Sequence, residues 1–428
     1  MIEAGSVLTL EVEKPAAGGR MLARHHGQVV LVWGAIPGER VTARVERTGK
    51  GLAFAEIVDV LSASPDRRPA PGDWRCGGNV LAHVNYARQL QLKGDIIRDA
   101  LGRIGRVPLD RSPEVIGSPE RGYRMRARLH AHEGRLGFYR EGSHQLCEAV
   151  GTGQLLESTN AWIASVEERL RDEPSSALTA IEIAENITGQ ERACHLELRA
   201  GADAARFVAM SDGLVGLSAQ VADRAAVVTL AGLPVVSDTV GVRAGDSAPV
   251  LRLQRSVRAF FQGNRFLLER LLWHVMSLAP EGPILDLYAG GGFFGLALAA
   301  SGVRDVTLVE GDPVSGSDLQ RNVEPFAGDV RVERRSVESF LGSGTASTAA
   351  TVIVDPPRTG LSKEAVGGIL AMKPSRVVYV SCDVATFARD TRLLLDGGYQ
   401  LGQVTGLDLF PNTAHVETVA LFTPPRSG

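Results

Sequence analysis

Three short segments of the chain carry side chains that could take part in chemistry together. Cys382 ends the apolar run Arg376-Val-Val-Tyr-Val-Ser-Cys-Asp383, and a thiol at a strand end can act as a nucleophile. Asp408-Leu-Phe-Pro-Asn-Thr-Ala-His-Val-Glu417 supplies carboxylates beside another strand. Ile284-Leu-Asp-Leu-Tyr-Ala-Gly-Gly-Gly-Phe-Phe-Gly295 has the pattern of a buried strand, a glycine turn and a helix start, which is typical of a site for a nucleotide-like cofactor. The three segments predict group transfer assisted by a covalent intermediate.

The glycine segment alone leaves the cofactor open. Gly290-Gly-Gly-Phe-Phe-Gly295 satisfies the GxGxxG spacing of dinucleotide sites, so a nicotinamide cofactor is one interpretation, and a turn without any ligand is another. Glu310 stands 20 residues after Gly290, where a carboxylate can accept hydrogen bonds from the ribose of either cofactor. Asp355-Pro-Pro-Arg-Thr-Gly360 ends a further strand, and this rigid acidic tip favours an adenosyl-amino acid and a planar base over a nicotinamide.

The elements that must position these residues alternate between strand and helix from about Ser256 onward, which predicts a doubly wound α/β sheet. The strand candidates are 283–287, 305–310, 330–334, 351–354, 376–381, 400–407 and 415–421. Because no helical pattern separates the last two, we expect an antiparallel hairpin at the sheet edge. Residues 342–348 have the composition of a flexible surface loop.

The front of the chain has a different pattern. Short alternating segments at 7–12, 28–32, 40–47 and 52–60 predict a small β-barrel, and a Pro-rich linker follows at 62–73. Helical spacing at 81–101 and 159–170 and strand-like runs at 123–132, 135–139, 180–187, 193–198, 207–210 and 227–230 predict an α+β middle. We therefore expect three domains, at 1–62, 74–250 and 256–428.

Charge and apolar patterning limit the partners and the compartment. The formal net charge is −3, but residues 1–130 hold 20 Lys and Arg against 14 Asp and Glu, so this part carries +6. Such a surface is compatible with RNA binding and is also ordinary for a soluble protein. No apolar stretch reaches the ~18 residues that a membrane helix needs, and Met1-Ile-Glu-Ala-Gly5 has no basic start followed by an apolar run, so we expect no signal peptide. These features predict a cytoplasmic protein without a membrane partner.

The cysteines do not have the spacing of a disulfide framework. Cys76, Cys147, Cys194 and Cys382 are far apart and form no CxxC pair, which is typical of a reducing compartment. We therefore expect free thiols that are available for chemistry.

The motifs together resemble the S-adenosylmethionine-dependent RNA (uracil-5-)-methyltransferases that act on tRNA and rRNA. The resemblance covers nearly the whole chain: a TRAM-type, OB-like barrel, a central domain and a Rossmann-like methyltransferase domain. The segments that carry it follow the family order and are Val32-Trp-Gly-Ala-Ile-Pro-Gly-Glu-Arg-Val41, Gly137-Phe-Tyr-Arg-Glu-Gly-Ser-His144, Phe260-Phe-Gln-Gly-Asn264, Asp286-Leu-Tyr-Ala-Gly290, Asp355-Pro-Pro-Arg-Thr-Gly360, Ser381-Cys-Asp383 and His415-Val-Glu417.

The resemblance assigns roles to single residues. It implies Cys382 as the nucleophile and Glu417 as the general base. It also implies that S-adenosylmethionine and the uracil are contacted by Gln262, Tyr288, Gly290, Glu310 and Asp355. Phe293 stands where the family often has Asn, so its contact with the cofactor departs from the pattern.

One branch of this family holds a [4Fe–4S] cluster with four cysteines, and this chain lacks the ligand set. Asn79 follows Cys76-Gly-Gly where a second cysteine is required, no cysteine precedes Cys76 in the linker, and Cys147 falls several residues before the expected fourth position. Because such clusters need Cys₄ ligation, we expect no iron–sulfur cluster and no other metal.

The implied reaction explains the residue types. A thiolate that attacks carbon 6 of uracil makes carbon 5 nucleophilic, and a base then removes the carbon-5 proton. We expect Arg358 to favour the thiolate. The barrel and the arginines of the middle segment would hold the phosphates of a tRNA or of 23S rRNA, and these arginines are Arg121, Arg124, Arg126 and Arg128.

Two other functions stay open at this point. Asp355-Pro-Pro is similar to the signature of amino-group methyltransferases, although those have an aromatic residue where this chain has Arg358. A catalytically silent RNA-binding or assembly protein would have lost Cys382 or Glu417, and both are present. The sequence does not reveal the oligomeric state, and a monomer is the default expectation.

Overall fold

The computed structural model describes residues 2–16, 18–172, 177–243, 245, 249–279, 282–344 and 349–425. Within these ranges the strands form a closed barrel, a seven-stranded sheet, a two-stranded hairpin and an eight-stranded sheet. The predicted fold class, a barrel followed by an α+β middle and a Rossmann-like α/β sheet, is confirmed. Residues 345–348 of the predicted surface loop lie outside the described ranges.

The barrel contains one strand more than the sequence pattern predicted. Its strands pair in the order β1-β2-β3-β5-β4, so closure leaves no free edge. Inward and outward side chains alternate along β1, where Leu10 and Val12 are buried in the barrel core. The added strand is the short β2. The bounds are β1 (Val7–Pro15), β2 (Met21–His25), β3 (Gln28–Trp33), β4 (Arg40–Gly49) and β5 (Leu52–Ser62).

One helix connects the barrel to the rest of the protein. Helix α1 (Tyr86–Arg103) begins five residues after the predicted start. Its Leu92 packs into the barrel core, whereas Ile97 and Leu101 pack into the core of the last sheet. Strand β6 (Val115–Ile116) follows and joins that last sheet. The helix therefore bridges two parts of the fold.

The middle sheet has the order β13-β12-β11-β10-β7-β8-β9, with helix α2 (Glu157–Asp172) on one face. Ala127 and Leu129 of β7 point into its core, and Arg128 between them is exposed. The bounds are β7 (Arg126–His132), β8 (Arg135–Tyr139), β9 (Leu146–Glu148), β10 (Leu178–Glu185), β11 (Arg192–Leu198), β12 (Gly216–Val221) and β13 (Val227–Gly232).

The predicted strand at 207–210 is wrong. These residues belong to the 3₁₀ helix Ala204–Ser211, whose N-terminus is capped by the Asp203 carboxylate, which accepts a hydrogen bond from Ala205 N at 3.1 Å. In a 3₁₀ helix, residues three apart share a side. Phe207 and Met210 are therefore both buried, and the short apolar run resembled a strand.

A two-stranded hairpin, β14 (Val235–Gly241) and β15 (Val250–Ser256), leads into the last sheet. That sheet has the order β18-β17-β16-β19-β20-β22-β21-β6. The remaining strands are β16 (Ile284–Leu287), β17 (Val306–Val309), β18 (Val330–Glu333), β19 (Thr351–Val354), β20 (Arg376–Ser381), β21 (Gln400–Leu407) and β22 (Glu417–Thr423). Its helices are α3 (Leu268–Leu278), α4 (Phe293–Ala300), α5 (Pro313–Asn322), α6 (Val337–Gly342), α7 (Lys363–Met372) and α8 (Val384–Asp396).

The last two strands pair as the predicted antiparallel hairpin, but this hairpin is not at the edge of the sheet. Strands β21 and β22 are antiparallel, but β21 is not the sheet edge, because β6 pairs with it at Gly406 and Leu407. A two-residue strand from the middle of the chain carries too little pattern to be recognised in the sequence. It protects the otherwise exposed edge of β21.

The cores cross the predicted domain boundaries. Val115 of β6 shares an apolar core with strands β19 and β20, and Val240 and Leu251 of the hairpin share one with helix α4. The boundaries at 62, 74, 250 and 256 stay a prediction. None of the helices in the described ranges is long and apolar enough to cross a membrane.

The expectation of free thiols is wrong for two of the four cysteines. Cys76 and Cys147 form a disulfide, with a Cα–Cα distance of 5.6 Å and a sequence separation of 71. They meet because Cys76 pairs with Arg140 through an isolated bridge just beyond β8, and β8 pairs with the strand that contains Cys147. Cys194 is a buried free thiol, and Cys382 is half-buried and free.

Candidate functional site

The carboxyl ends of four parallel strands bring together the residues that the sequence singled out. Leu287 pairs with Val309 on one side and Val354 on the other, and Val354 pairs with Tyr379. The residues that follow these strands therefore lie along one edge of the sheet. In open α/β sheets this is the edge where ligands bind.

Glu417 reaches this edge from the opposite direction. Strand β22 is antiparallel to β20, and its Thr418 pairs with Ser381. Continuing this register by one residue places Glu417, the first residue of β22, across from Cys382, the residue that follows β20. The charge of Glu417 is one of the causes that raise the pKa of the Cys382 thiol. The sheet therefore brings together two residues that are 35 apart in sequence.

The glycine turn opens toward this edge. Gly290 has a φ of +56° and Gly292 a φ of +93°, so both adopt conformations that other residues rarely take. Gly290 N donates to Glu310 Oε2 at 2.7 Å, and Asp312 N donates to Glu310 Oε1 at 2.6 Å. A Cβ at Gly290 would meet open space, whereas a Cβ at Gly292 would lie 2.4 Å from Leu296. Gly290 therefore borders free volume, whereas Gly292 lies in a packed part of the turn.

Gln262 and Asp355 are also in contact at this edge. Gln262 Nε2 donates to Asp355 Oδ2 at 3.0 Å, and Gln262 is only 6% exposed. Desolvation raises the pKa of Asp355 to about 7, although the hydrogen bond from Gln262 lowers it in part. A carboxyl with this pKa can either accept or donate a hydrogen bond near neutral pH.

The side chains of Tyr288 and Phe293 contact neighbouring elements of the last sheet. The Tyr288 hydroxyl donates to Glu338 Oε1 at 3.4 Å, toward helix α6. Phe293 is 5% exposed and packs edge-to-face on Phe261, with ring centroids 5.3 Å apart. The aromatic ring thus takes part in the core behind the glycine turn. Cofactor contacts of these two residues stay a prediction.

The environment of Cys382 opposes ionisation, contrary to the expectation from the sequence. Burial, followed by the charges of Glu417 and Asp355, raises the pKa of the thiol to about 12. Arg358 does interact with the thiol and lowers its pKa, as expected, but the effect is smaller than that of the other three causes. The thiol is therefore protonated at neutral pH while the site contains no substrate.

Glu417 is buried without a partner for one of its oxygens. The residue is 1% exposed, and among the described residues nothing hydrogen-bonds to its Oε1. Burial raises the pKa of the carboxyl well above its ordinary value, and Asp355 raises it further. Buried polar atoms without partners are rare and often mark a site where a ligand completes the hydrogen bonds.

His415, two residues before Glu417, lies near Arg358. Its backbone N–H donates to Thr413 Oγ1 at 3.1 Å, and its ring contacts Phe410 edge-to-face with centroids 6.1 Å apart. The residue as a whole is exposed, but partial desolvation of its ring and the charge of Arg358 lower the pKa of its imidazole. The neutral ring is therefore favoured at neutral pH.

Sequence reasoning missed the part that Asp286 plays. This residue of β16 is fully buried, accepts a hydrogen bond from Gly295 N at 2.9 Å, and has a pKa that desolvation raises to about 8. It ties the strand to the first turn of helix α4 and so holds the glycine turn. The signal was available, since an Asp inside the apolar strand Ile284–Leu287 has to find a partner.

The arginines of the middle segment are largely paired within the protein. Arg126 forms an ion pair with Glu182 at 3.0 Å and Arg128 with Glu197 at 2.5 Å, while Arg124 Nη1 donates to Gln154 Oε1 at 2.6 Å. Arg121 is exposed. Their part in phosphate binding stays a prediction, and the glutamates reduce the positive field that the sequence suggested.

Candidate metal ligands do not assemble in the described part of the chain. No group of three or more His, Cys, Asp or Glu side chains is gathered there. Cys76, the residue nearest to the cluster motif, is bonded to Cys147.

Comparisons with known proteins agree with the geometry. The family described as tRNA (Uracil-5-)-methyltransferase matches residues 250–424, and the TRAM domain matches residues 3–58. The chain is 30% identical to an uncharacterized RNA methyltransferase of Aquifex aeolicus, over 97% of this chain and 98% of that protein. It is 31% identical to the 23S rRNA (uracil(1939)-C(5))-methyltransferase of Pseudomonas putida, over 98% and 94%.

A solved structure extends the agreement to the whole fold. The tRNA (uracil-54, C5)-methyltransferase of Pyrococcus abyssi, in complex with S-adenosyl-L-homocysteine, superposes with a TM-score of 0.75 at 25% identity. The match covers 97% of this chain and 100% of that one. Since sequence and fold match along nearly the full length, the chain belongs to the RNA (uracil-5-)-methyltransferase family.

Proposed function

We propose that the protein transfers a methyl group from S-adenosylmethionine to carbon 5 of a specific uridine in tRNA or 23S rRNA, through a covalent bond between Cys382 and carbon 6. The observation that carries the proposal is the register of β20 and β22, which sets a half-buried thiol against a buried carboxyl with a free oxygen. Neither group has another evident structural role at this position.

The glycine turn and its neighbours fit an adenosyl-amino acid. Gly290 faces open space, and the Glu310 carboxylate lies at the end of β17, where the ribose of a bound nucleoside is held in such sheets. Gly290 and Glu310 would hold the nucleoside, and Gln262 with Asp355 would lie toward the uracil. When bound there, S-adenosylmethionine supplies the electrophilic methyl group that carbon 5 of the activated uracil accepts.

The protein's own residues account for the other steps. Cys382 Sγ bonds to carbon 6, which turns carbon 5 into a nucleophile. After methylation Glu417 accepts the carbon-5 proton, the carbon 5–carbon 6 double bond reforms, and Sγ leaves. Because burial favours the neutral forms of both Cys382 and Glu417, each must lose a proton during the cycle.

The family and the access to the site indicate the substrate. Relatives with full-length matches are named as enzymes of 23S rRNA and of tRNA uridines. The Cys382 thiol is only partly accessible at the sheet edge, so a uracil in folded RNA has to leave its stack to reach it. The TRAM barrel and the middle sheet would hold the surrounding RNA.

The test is nucleoside mass spectrometry of bulk tRNA and rRNA after incubation with the protein and S-adenosylmethionine. We expect 5-methyluridine in one RNA class, and none with Cys382→Ala. Cys194→Ala, which removes the other free thiol, is the matched control and should stay active. Methylation of an amino group, methyl transfer by Cys382→Ala, or RNA binding without any transfer would contradict the proposal.

A further inference from the structure

We propose that Lys93 and Gln89, both on helix α1, are positioning residues that hold the segment 408–413 and thereby fix the place of Glu417. The inference rests on the proposed function, because it takes Glu417 as the base. Helix α1 lies more than 300 residues before this segment, and nothing in the motifs of the site points to it.

Lys93 is held in a fully buried ion pair. Lys93 Nζ bonds to Asp408 Oδ1, and both side chains are 0% exposed. The same Nζ donates to the carbonyl oxygen of Phe410 at 2.9 Å, and the Tyr86 hydroxyl donates to Asp408 Oδ2 at 2.9 Å. A buried lysine is costly unless its donors are paired, so this arrangement keeps the segment in a single position.

Gln89 holds the same segment two residues further on. Its Nε2 donates to Asn412 Oδ1 at 2.9 Å, and Asn412 N donates to its Oε1 at 3.0 Å. Asn412 has a φ of +64°, a left-handed conformation, and Leu81 N donates to its carbonyl oxygen at 2.8 Å. An unfavourable backbone conformation persists where surrounding contacts enforce it, and here Gln89 supplies two of them.

The opposite side of the segment is tied to the motif that contains Gln262. Asn264 Nδ2 donates to the carbonyl oxygen of Leu409 at 3.1 Å and to Ser118 Oγ at 2.9 Å. The segment is therefore enclosed between α1 on one side and the substrate-facing loop on the other. A shift of α1 relative to the sheet would move it.

Glu417 depends on this enclosure because its own side chain is weakly held. Its Oε1 has no hydrogen-bond partner among the described residues, so its backbone sets its position, and that backbone pairs with Leu407 of β21, the residue directly before the segment 408–413. Only four residues separate Asn412 from Glu417, and Ala414 among them packs against the barrel core. The contacts of Lys93 and Gln89 are therefore transmitted over a short, packed stretch.

Misplacement of Glu417 would affect one step of the reaction. Cys382 Sγ can still bond to carbon 6, and carbon 5 can still be methylated. The carbon-5 proton then has no acceptor within reach, so its bonding pair cannot form the carbon 5–carbon 6 double bond and expel Sγ. The methylated covalent adduct would accumulate.

The test uses Lys93→Met/Asp408→Leu, which removes both charges and so leaves no unpaired buried ion. Gln89→Met is a second, independent variant. Lys14→Met is the matched control. It breaks an exposed ion pair, at 2.6 Å, between Lys14 of strand β1 and Asp99 of helix α1. Each protein is assayed on the RNA class that the wild type methylates and on the same transcript with 5-fluorouridine, which has no carbon-5 proton.

We expect both variants to form the 5-fluorouridine adduct at the wild-type rate. On normal RNA, we expect both variants to turn over at least ten times more slowly than the wild type and to accumulate a methylated adduct that is visible on denaturing gels. The control should match the wild type in both assays. The inference would be overturned if a folded variant turned over normal RNA at the normal rate without accumulating adduct. It would also be overturned if a folded variant were slowed equally in both assays. Failure of the wild type itself to form adduct or product would overturn the proposed function instead.

Discussion

At the scale of the residue, the proposed chemistry depends on a thiol whose surroundings suppress its ionisation. Burial, Glu417 and Asp355 together raise the pKa of Cys382 to about 12, above the ~8.5 of a free cysteine. Nucleophilic attack needs the thiolate. We therefore expect the thiol of the free protein to react slowly with electrophiles, and we infer that substrate binding lowers its pKa.

This predicts a steep pH dependence for the free enzyme. A raised thiol pKa means that the thiolate fraction grows about tenfold for each pH unit from 7.5 to 10, without a plateau. The alkylation rate of Cys382 by iodoacetamide, followed by peptide mass spectrometry in a Cys194→Ala background, should rise accordingly. Arg358→Met should slow it further, because the guanidinium lowers the thiol pKa. A rate that levels off above about pH 9.5, as expected for an unperturbed thiol with a pKa of ~8.5, would contradict the account.

At the scale of the element, strand ends and one turn decide where ligands can lie. The turn after β16 is held by Glu310 and by Asp286, which bond to Gly290 N and Gly295 N. Its first glycine faces open space and its third is packed against Leu296. Substitution of the first glycine should therefore affect a ligand more than it affects the fold.

Gly290→Ala should weaken cofactor binding selectively. Its φ of +56° makes alanine cost about 1 to 2 kcal/mol, and the added Cβ would point into the free volume. We expect the affinity for S-adenosylhomocysteine, measured by calorimetry, to fall at least tenfold. Gly51→Ala is the control, because Gly51 has a φ of +76° in the turn between β4 and β5 and an added Cβ would have no neighbour within 4 Å. This variant should lose similar stability and keep its affinity for S-adenosylhomocysteine. Equal affinities in the two variants would contradict this placement.

Most elements of the last sheet were predictable because each buried strand is a continuous apolar run followed by a turn. The pattern places Tyr288, Glu310, Asp355 and Cys382 directly after strands, whereas their order along the edge, Glu310, Tyr288, Asp355 and Cys382, comes from the strand order of the sheet. The two-residue strand β6 and the ion pair of Lys93 with Asp408 were not predictable. A lone lysine in an amphipathic helix resembles a surface residue, and its partner is 315 residues away.

At the scale of the whole molecule, the parts of the chain are joined more tightly than a linker would allow. Helix α1 packs against both the barrel and the last sheet, and Glu39 of the barrel accepts from Arg67 Nε at 2.6 Å. The disulfide then attaches the segment after the barrel to β9. The sequence could not reveal this bond, because 71 residues separate the two cysteines and only the fold brings them together.

The disulfide should contribute to stability. A cross-link that closes a loop of this length stabilises a protein by about 4 kcal/mol in the chain-entropy description. Reduction should therefore lower the Tm of the wild type measured by calorimetry. Cys76→Ala/Cys147→Ala should have a low Tm that reductant does not change. A wild-type Tm that is the same with and without reductant would show that the bond carries no such stabilisation.

The central claim is that Cys382 bonds to the uracil and Glu417 releases it, and one measurement tests both halves. Glu417→Gln is incubated with RNA and S-adenosylmethionine, digested with nuclease and trypsin, and analysed by mass spectrometry. We predict that the peptide containing Cys382 carries the mass of a methylated uridine nucleotide. Full turnover by this variant, or an adduct on any other residue, would contradict the account.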